Sequence, residues 1–126
     1  MAFTTSAANA IISKLLRNTD FTHPTAVYVS LHTGNPGETG TSEVTAGANA
    51  YARQLASFTA PSTKASSNSA DLIWTNMPAT TITHIGIWSA ATGGTFWWGG
   101  ALAASKTTSA GDTFRIAAGD LDVTLT

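Results

Sequence analysis

The chain has no cysteine, few charged residues and no long apolar run. Without cysteine it cannot form a disulfide, an iron–sulfur cluster, a cysteine-based zinc site or a thiol nucleophile. A membrane-spanning helix needs about 18 or more consecutive apolar residues, and no run here approaches that length. We therefore expect neither thiol chemistry nor a membrane partner.

Charge is the scarcest property, since Asp, Glu, Lys and Arg make up 10% of the 126 residues. Ordinary globular proteins have roughly a quarter of their residues charged. A freely diffusing monomer usually needs interspersed charges to remain unassociated. The composition thus predicts one domain with an uncharged polar surface that assembles with other protein copies.

The few charges are also spread out. Six Lys and Arg residues stand singly against seven acidic ones, for a net charge of −1. No basic stripe is available to neutralise phosphates, so a nucleic-acid partner is not expected. Residues 1–6 have neither a basic nor an apolar stretch, so no signal peptide is predicted and we expect synthesis in a cytoplasm.

One helix is predicted, over residues 6–17. Thr4, Thr5 and Ser6 are candidate N-caps, and residues 18–20 favour a turn. Apolar residues then follow helical spacing at Ala8, Ile11, Ile12, Leu15 and Leu16. Three turns of helix are marginal alone, so this face either covers the domain's own sheet or docks on a neighbouring subunit.

A hairpin over residues 82–102 organises the rest of the predicted fold. Ile85 and Ile87 point to one face of its first arm, Trp88 points to the other, and residues 92–94 offer a tight turn. Trp97 and Trp98 are adjacent in the returning arm and must face opposite ways, so one indole is a candidate contact residue. Glycines at 86, 99 and 100 are predicted to make room for the indoles.

Alternating apolar residues predict further strands at residues 25–32, 51–58, 72–74, 113–116 and 121–126. Arg53 is expected to be partly buried beside a carboxylate. Residues 33–50 are rich in glycine and are predicted to form a long exposed loop that reaches a neighbour, and residues 60–71 a second connection with little to bury.

These elements predict a mainly β fold: a single-domain antiparallel β-sandwich, jelly-roll-like, with one N-terminal α-helix. Residues 1–20 form the helical segment and residues 21–126 the sandwich domain. The predicted core consists of Val27, Val29, Leu31, Ile85, Ile87, Trp88, Leu121 and Val123.

No residue pattern indicates catalysis or a cofactor. His23, His32 and His84 are dispersed without a metal-binding spacing, and no Gly-x-Ser-x-Gly elbow occurs. Glu38 and Glu43 are the only glutamates, and neither lies near the tryptophans in sequence, as a glycosidase pair would require. We expect no enzymatic activity, no cofactor and no metal site.

Several separated segments together resemble small structural proteins of tailed bacteriophages, described as tail-fibre-like or head-decoration proteins. They are residues 26–38 (AVYVSLHTGNPGE), 51–54 (YARQ), 82–88 (ITHIGIW), 90–94 (AATGG) and 117–121 (AAGDL). The resemblance covers nearly the whole chain and implies a non-enzymatic, β-rich component of a phage particle. Its two descriptions differ over whether the protein sits on the head or the tail.

Our first hypothesis is a capsid decoration or cement protein on the virion's capsid surface, bound to the major capsid protein and to copies of itself, as a trimer. The alternative is a tail fibre or adaptor touching host-surface glycan, and a glycan-binding lectin is a third reading. The candidate interaction surface consists of Ile11, Ile12, Leu15, Leu16, Asn35, Pro36, Glu38, Glu43 and Trp97.

Overall fold

The structure, a computed structural model, describes residues 2–125. They form one helix and nine strands. In chain order these are β1 (Ala2–Phe3), α1 (Thr5–Arg17), β2 (Val27–His32), β3 (Gln54–Ala56), β4 (Ala65–Ser67), β5 (Leu72–Met77), β6 (Thr80–Trp88), β7 (Phe96–Thr108), β8 (Asp112–Ile116) and β9 (Asp122–Thr124).

The strands make one large sheet and two ribbons, all antiparallel. The large sheet has the order β1-β7-β6-β2-β3, and the ribbons are β4-β9 and β5-β8. β6 and β7 form the predicted hairpin, paired from Thr80 opposite Thr108 to Trp88 opposite Phe96. The mainly β, antiparallel fold with one helix is confirmed, although its division into five, two and two strands differs from an eight-stranded jelly roll.

One face of the large sheet packs on the β5-β8 ribbon in a sandwich-like core. Val29, Leu31, Ile85 and Ile87 of the sheet are buried there, as predicted. The ribbon adds Trp74 and Phe114, whose rings meet edge to face at 5.7 Å, and the chain beyond it adds Leu121, also buried as predicted. Aromatic pairs of this geometry add to the area that they bury.

Two predicted core residues lie at its margin. Val27 and Val123 are half-buried and pack against the core from outside. Val27 opens the strand next to the short edge strand β3, and Val123 sits in the two-stranded β4-β9 ribbon. In the predicted strand 121–126, alternation places Leu125 on the same inward face as Leu121 and Val123, but Leu125 is 45% exposed, and Thr126 lies outside the described residues.

Residues 33–50 form a long and mostly exposed loop, as predicted, but three buried residues of this loop also cover the second face of the sheet. Pro36, Gly40 and Val44 are buried, and the Val44 amide donates to the Leu31 carbonyl at 2.9 Å. Gly40 has φ +75°, and a Cβ there would lie 2.2 Å from Cζ2 of Trp88. Only glycine fits so close to that indole. As a result the last four residues of β2, from Val29 to His32, are buried on both faces.

Glycines of the hairpin make room for different groups than the sequence predicts. A Cβ on Gly86 would lie 2.5 Å from the Phe96 ring, and one on Gly99 would lie 2.9 Å from Pro36. The space beside these two glycines is therefore filled by a phenyl ring and by the covering loop. An indole, that of Trp88, instead fills the space beside Gly40 of the covering loop.

The connection at residues 60–71 also buries more than the sequence predicts. It contributes strand β4 and Asn68, which is 1% exposed. The Asn68 amide donates to the carbonyls of Ala70 and Ala117 at 2.9 and 3.0 Å. Its oxygen accepts from the amides of Gly119 and Leu121 at 3.1 and 2.9 Å. One side chain thus fixes the turn before β9.

Candidate interaction surface

Helix α1 presents an uncovered apolar stripe. Ile12, Leu15 and Leu16 are 53%, 75% and 81% exposed. Ala7 is buried and Ile11 is half-buried. The helix therefore packs on the sheet through only part of its apolar face. The three exposed residues are here called the α1 stripe. They match the predicted interaction surface, whereas Ile11 instead lines an apolar cavity of about 210 Å³ with Phe21 and Trp98.

Both ends of α1 are capped. The Thr4 hydroxyl accepts from the Ala7 amide at 3.2 Å, and Asn18 closes the helix in the left-handed region with φ 51°. Glu38 of the covering loop accepts a hydrogen bond from the Thr5 amide at 2.7 Å. A carboxylate at the N-terminus of a helix interacts favourably with the helix dipole. The helix start is thus held by the loop, and the stripe has a fixed orientation.

The other predicted surface residues of the loop divide into exposed and buried positions. Asn35 and Glu38 are exposed beside the start of α1, where they line a groove of about 330 Å³. Pro36 was predicted to lie at the surface, and this is wrong: it is less than 2% exposed. It is buried because it fills the space that Gly99 leaves on β7.

Glu43 is engaged within the domain. Its carboxylate accepts from Nε and Nη2 of Arg53 at 3.0 and 2.9 Å and from the Tyr51 hydroxyl at 2.8 Å. The Arg53 and Glu43 side chains are 9% and 23% exposed. The predicted carboxylate partner of Arg53 is confirmed, but Glu43 has little surface left to contact another protein. Burial raises the pKa of Tyr51.

Arg53 joins three parts of the fold. Besides Glu43, its guanidinium donates to the carbonyls of Ala90 and Gly93 at 3.0 and 2.8 Å. It also lies 3.6 Å from the centroid of the Trp88 ring, a favourable cation–π distance. The covering loop and the β6–β7 turn are thereby fixed to the same side chain.

A chain of buried polar groups lies under the loop. The Trp88 indole N–H donates to Oγ of Ser30 at 2.9 Å, and Oγ lies 2.7 Å from Nε2 of His32. Nδ1 of His32 lies 2.7 Å from the Thr41 carbonyl. A neutral imidazole with its proton on Nδ1 satisfies every group in this chain. Burial lowers the pKa of His32, which favours that neutral form.

The sequence did not reveal this chain. It places His32 and His84 far apart, yet the sheet pairs them directly across β2 and β6. His84 contacts the Thr83 hydroxyl at 2.8 Å, as a strand histidine was expected to do. Within the described residues, no three His, Asp or Glu side chains converge as metal ligands, and no helix of residues 2–125 is long and apolar enough to cross a membrane.

Trp97 and Trp98 face opposite ways, as predicted. Trp98 is 1% exposed in the core. Trp97 is half-buried on the other side, with its ring 6.2 Å from that of Phe21 in an edge-to-face arrangement. Trp97 is therefore the indole available near the surface.

Residues 2–124 match the family described as Podophage GP4 fiber I protein gp80. The chain belongs to this family. The resemblance to tailed-phage virion structural proteins is thus confirmed, and the protein is a phage structural protein. No curated protein matches the chain.

Proposed function

We propose that this protein is a non-enzymatic subunit of a phage fibre and that copies of it associate through the α1 stripe. The observation that supports this is the exposure of Ile12, Leu15 and Leu16 on a helix whose orientation is fixed. The family's description as a fiber protein favours this reading over capsid decoration.

Covering the stripe would release substantial free energy. Full burial of one Leu or Ile is worth about 1.5–3 kcal/mol. At the observed exposures, covering all three gives about 3–6 kcal/mol per protomer. A chain so poor in charge has little to oppose such contacts.

The pattern along α1 favours another copy of the same helix as the partner. Ala8, Ile12 and Leu15 are spaced by four and three residues, the spacing of a seam between like helices. Lys14 forms a salt bridge with Asp20, so its charge is paired and does not oppose the association of two helices. We expect a trimer, with the three α1 helices around the axis.

The oligomer can be tested by light scattering after gel filtration of the full chain. Wild-type protein should elute as a trimer, and Leu15→Lys should elute as a monomer with the same far-ultraviolet circular dichroism. Leu55→Lys is the matched control, because Leu55 is 63% exposed on β3 and outside the stripe. A monomeric wild type, or a trimeric Leu15→Lys, would rule out this interface.

Position on the particle requires a separate measurement. In the fibre role, quantitative mass spectrometry of purified virions should find a few to a few dozen copies of this protein. In a decoration role, with the major capsid protein as partner, it should find hundreds of copies in a simple ratio to the shell subunit. The second result would restore the capsid hypothesis drawn from the sequence.

A further inference from the structure

An open cleft lies beside α1, away from the α1 stripe. The segment that follows α1 and the β6–β7 turn enclose a volume of about 540 Å³. Ser6 and Ala10 line it from the helix, whereas Leu15 lies five residues after Ala10, roughly 140° around the helix axis. A neighbour bound to the stripe would therefore approach from a different direction.

The floor of the cleft is aromatic. Trp97 lines it together with Phe21, which is 39% exposed. The two rings are inclined by 64°, so one of them at a time can offer its flat apolar face to a ligand. The Trp97 indole N–H is buried from solvent, so the ring can offer a ligand its carbon face and not a hydrogen bond.

The walls of the cleft are polar but uncharged. They carry hydroxyls from Ser6, Thr22, Thr25, Ser89 and Thr95. Among the described residues that line the cleft, none is Asp, Glu, Lys or Arg, and His23 is the one titratable side chain. An ionic ligand would lose hydration here without gaining a charged partner. The cleft thus suits a neutral molecule with one apolar face and many hydroxyls.

We infer that this cleft binds a neutral saccharide, one hexose or deoxyhexose unit in size or slightly larger. The C–H face of the sugar ring stacks on the Trp97 ring, with Phe21 packed against the edge of the sugar, and its hydroxyls bond to the serine and threonine side chains of the walls. The volume lies within the usual range for small-molecule sites, about 300–1,000 Å³. This site goes beyond the assembly role, since it uses residues outside the α1 stripe.

The test is a titration of the ¹⁵N-labelled full chain, followed by the indole N–H resonances. The probes are methyl glycosides of glucose, galactose, mannose, rhamnose and N-acetylglucosamine. At least one should shift the Trp97 resonance, assigned with Trp97→Phe, in a saturable way at millimolar concentration. The resonances of Trp74 and Trp98, which lie outside the cleft, should stay in place.

Conservative substitutions in the walls of the cleft distinguish specific from nonspecific binding. Thr22→Val with Thr25→Val removes two exposed hydroxyls and should weaken binding about tenfold, the effect of two lost hydrogen bonds. Thr45→Val, exposed in the covering loop, should leave binding unchanged. The inference is overturned if none of the five glycosides gives a saturable shift up to about 50 mM. It is also overturned if the double variant binds as wild type, or if anionic N-acetylneuraminic acid binds more tightly than all five.

Discussion

Replacing Gly40 by alanine tests whether residues 33–50 cover the sheet. A Cβ at this position would lie 2.2 and 2.6 Å from two carbons of the Trp88 ring and 3.1 Å from Phe96. These neighbours are buried rings, which cannot move aside without disturbing the groups packed around them. Forcing extra atoms into such packing costs about 1–3 kcal/mol.

The backbone adds a second cost. Gly40 has φ +75°, and an L-residue in the left-handed region loses about 1–2 kcal/mol relative to glycine. Gly40→Ala should therefore lower the free energy of unfolding by about 2–5 kcal/mol.

Gly47→Ala is a matched control from the same loop. Gly47 also has a positive φ, +59°, but a Cβ there meets nothing within 4 Å. This control should cost only the backbone term, about 1–2 kcal/mol. The difference between the two variants then isolates the contact with Trp88.

Both variants can be compared by urea unfolding, followed by tryptophan fluorescence. The linear extrapolation gives each free energy of unfolding, provided that the slope with urea is unchanged. Equal losses for Gly40→Ala and Gly47→Ala would show that the loop does not pack on the indole in solution. The covered second face of the sheet would then be refuted.

Two further predictions concern buried polar groups. Asn68→Ala leaves the Leu121 amide without its side-chain acceptor, whereas the Gly119 amide keeps the backbone carbonyl of Asn68 at 2.8 Å. The substitution should lower the free energy of unfolding by about 1–3 kcal/mol, and a loss below about 0.5 kcal/mol in urea unfolding would contradict this role. Burial lowers the pKa of His32 below the ordinary histidine value of 6.5. As the pH falls below 6.5, His32 therefore takes up a proton in the unfolded chain before it does so in the folded chain. The free energy of unfolding should then decrease by up to about 1.4 kcal/mol per pH unit. The charge of Glu43 opposes the lowering of this pKa, whereas Arg53 and His84 add to it. Unchanged urea midpoints between pH 7 and pH 5.5 would show that the pKa of His32 is the same in the folded and unfolded chain.

Local patterns were sufficient for the elements whose signals are local. The helix was predicted within one residue of its observed start, because capping residues and 3.6-residue spacing act within the element itself. The strand faces of Val29, Leu31, Ile85 and Ile87 followed from two-residue alternation. The opposite orientations of Trp97 and Trp98 followed from the same rule.

The covering loop shows where such patterns fail. Residues 33–50 have no apolar periodicity, and their glycines and polar residues are typical of an exposed connection. Pro36 and Gly40 become buried only because β2 and β6 place Trp88 and Phe96 where the loop returns. His32 and Glu43 bond to Ser30 and Arg53, which are near in sequence, but these partners in turn bond to Trp88 and Ala90, which are distant.

The sequence by itself determined a mainly β domain, poor in charge, with one amphipathic helix and a tryptophan-rich hairpin. Those features depend on composition and on spacing within single elements. The tertiary structure decided which apolar residues remain uncovered, since Ile11 reaches the domain's own packing while Leu15 and Leu16 do not. It also decided which hydroxyls gather around Trp97, because that cleft joins segments from α1 to the β6–β7 turn. Burial and proximity between distant segments are properties of the packed chain, and no local pattern specifies them.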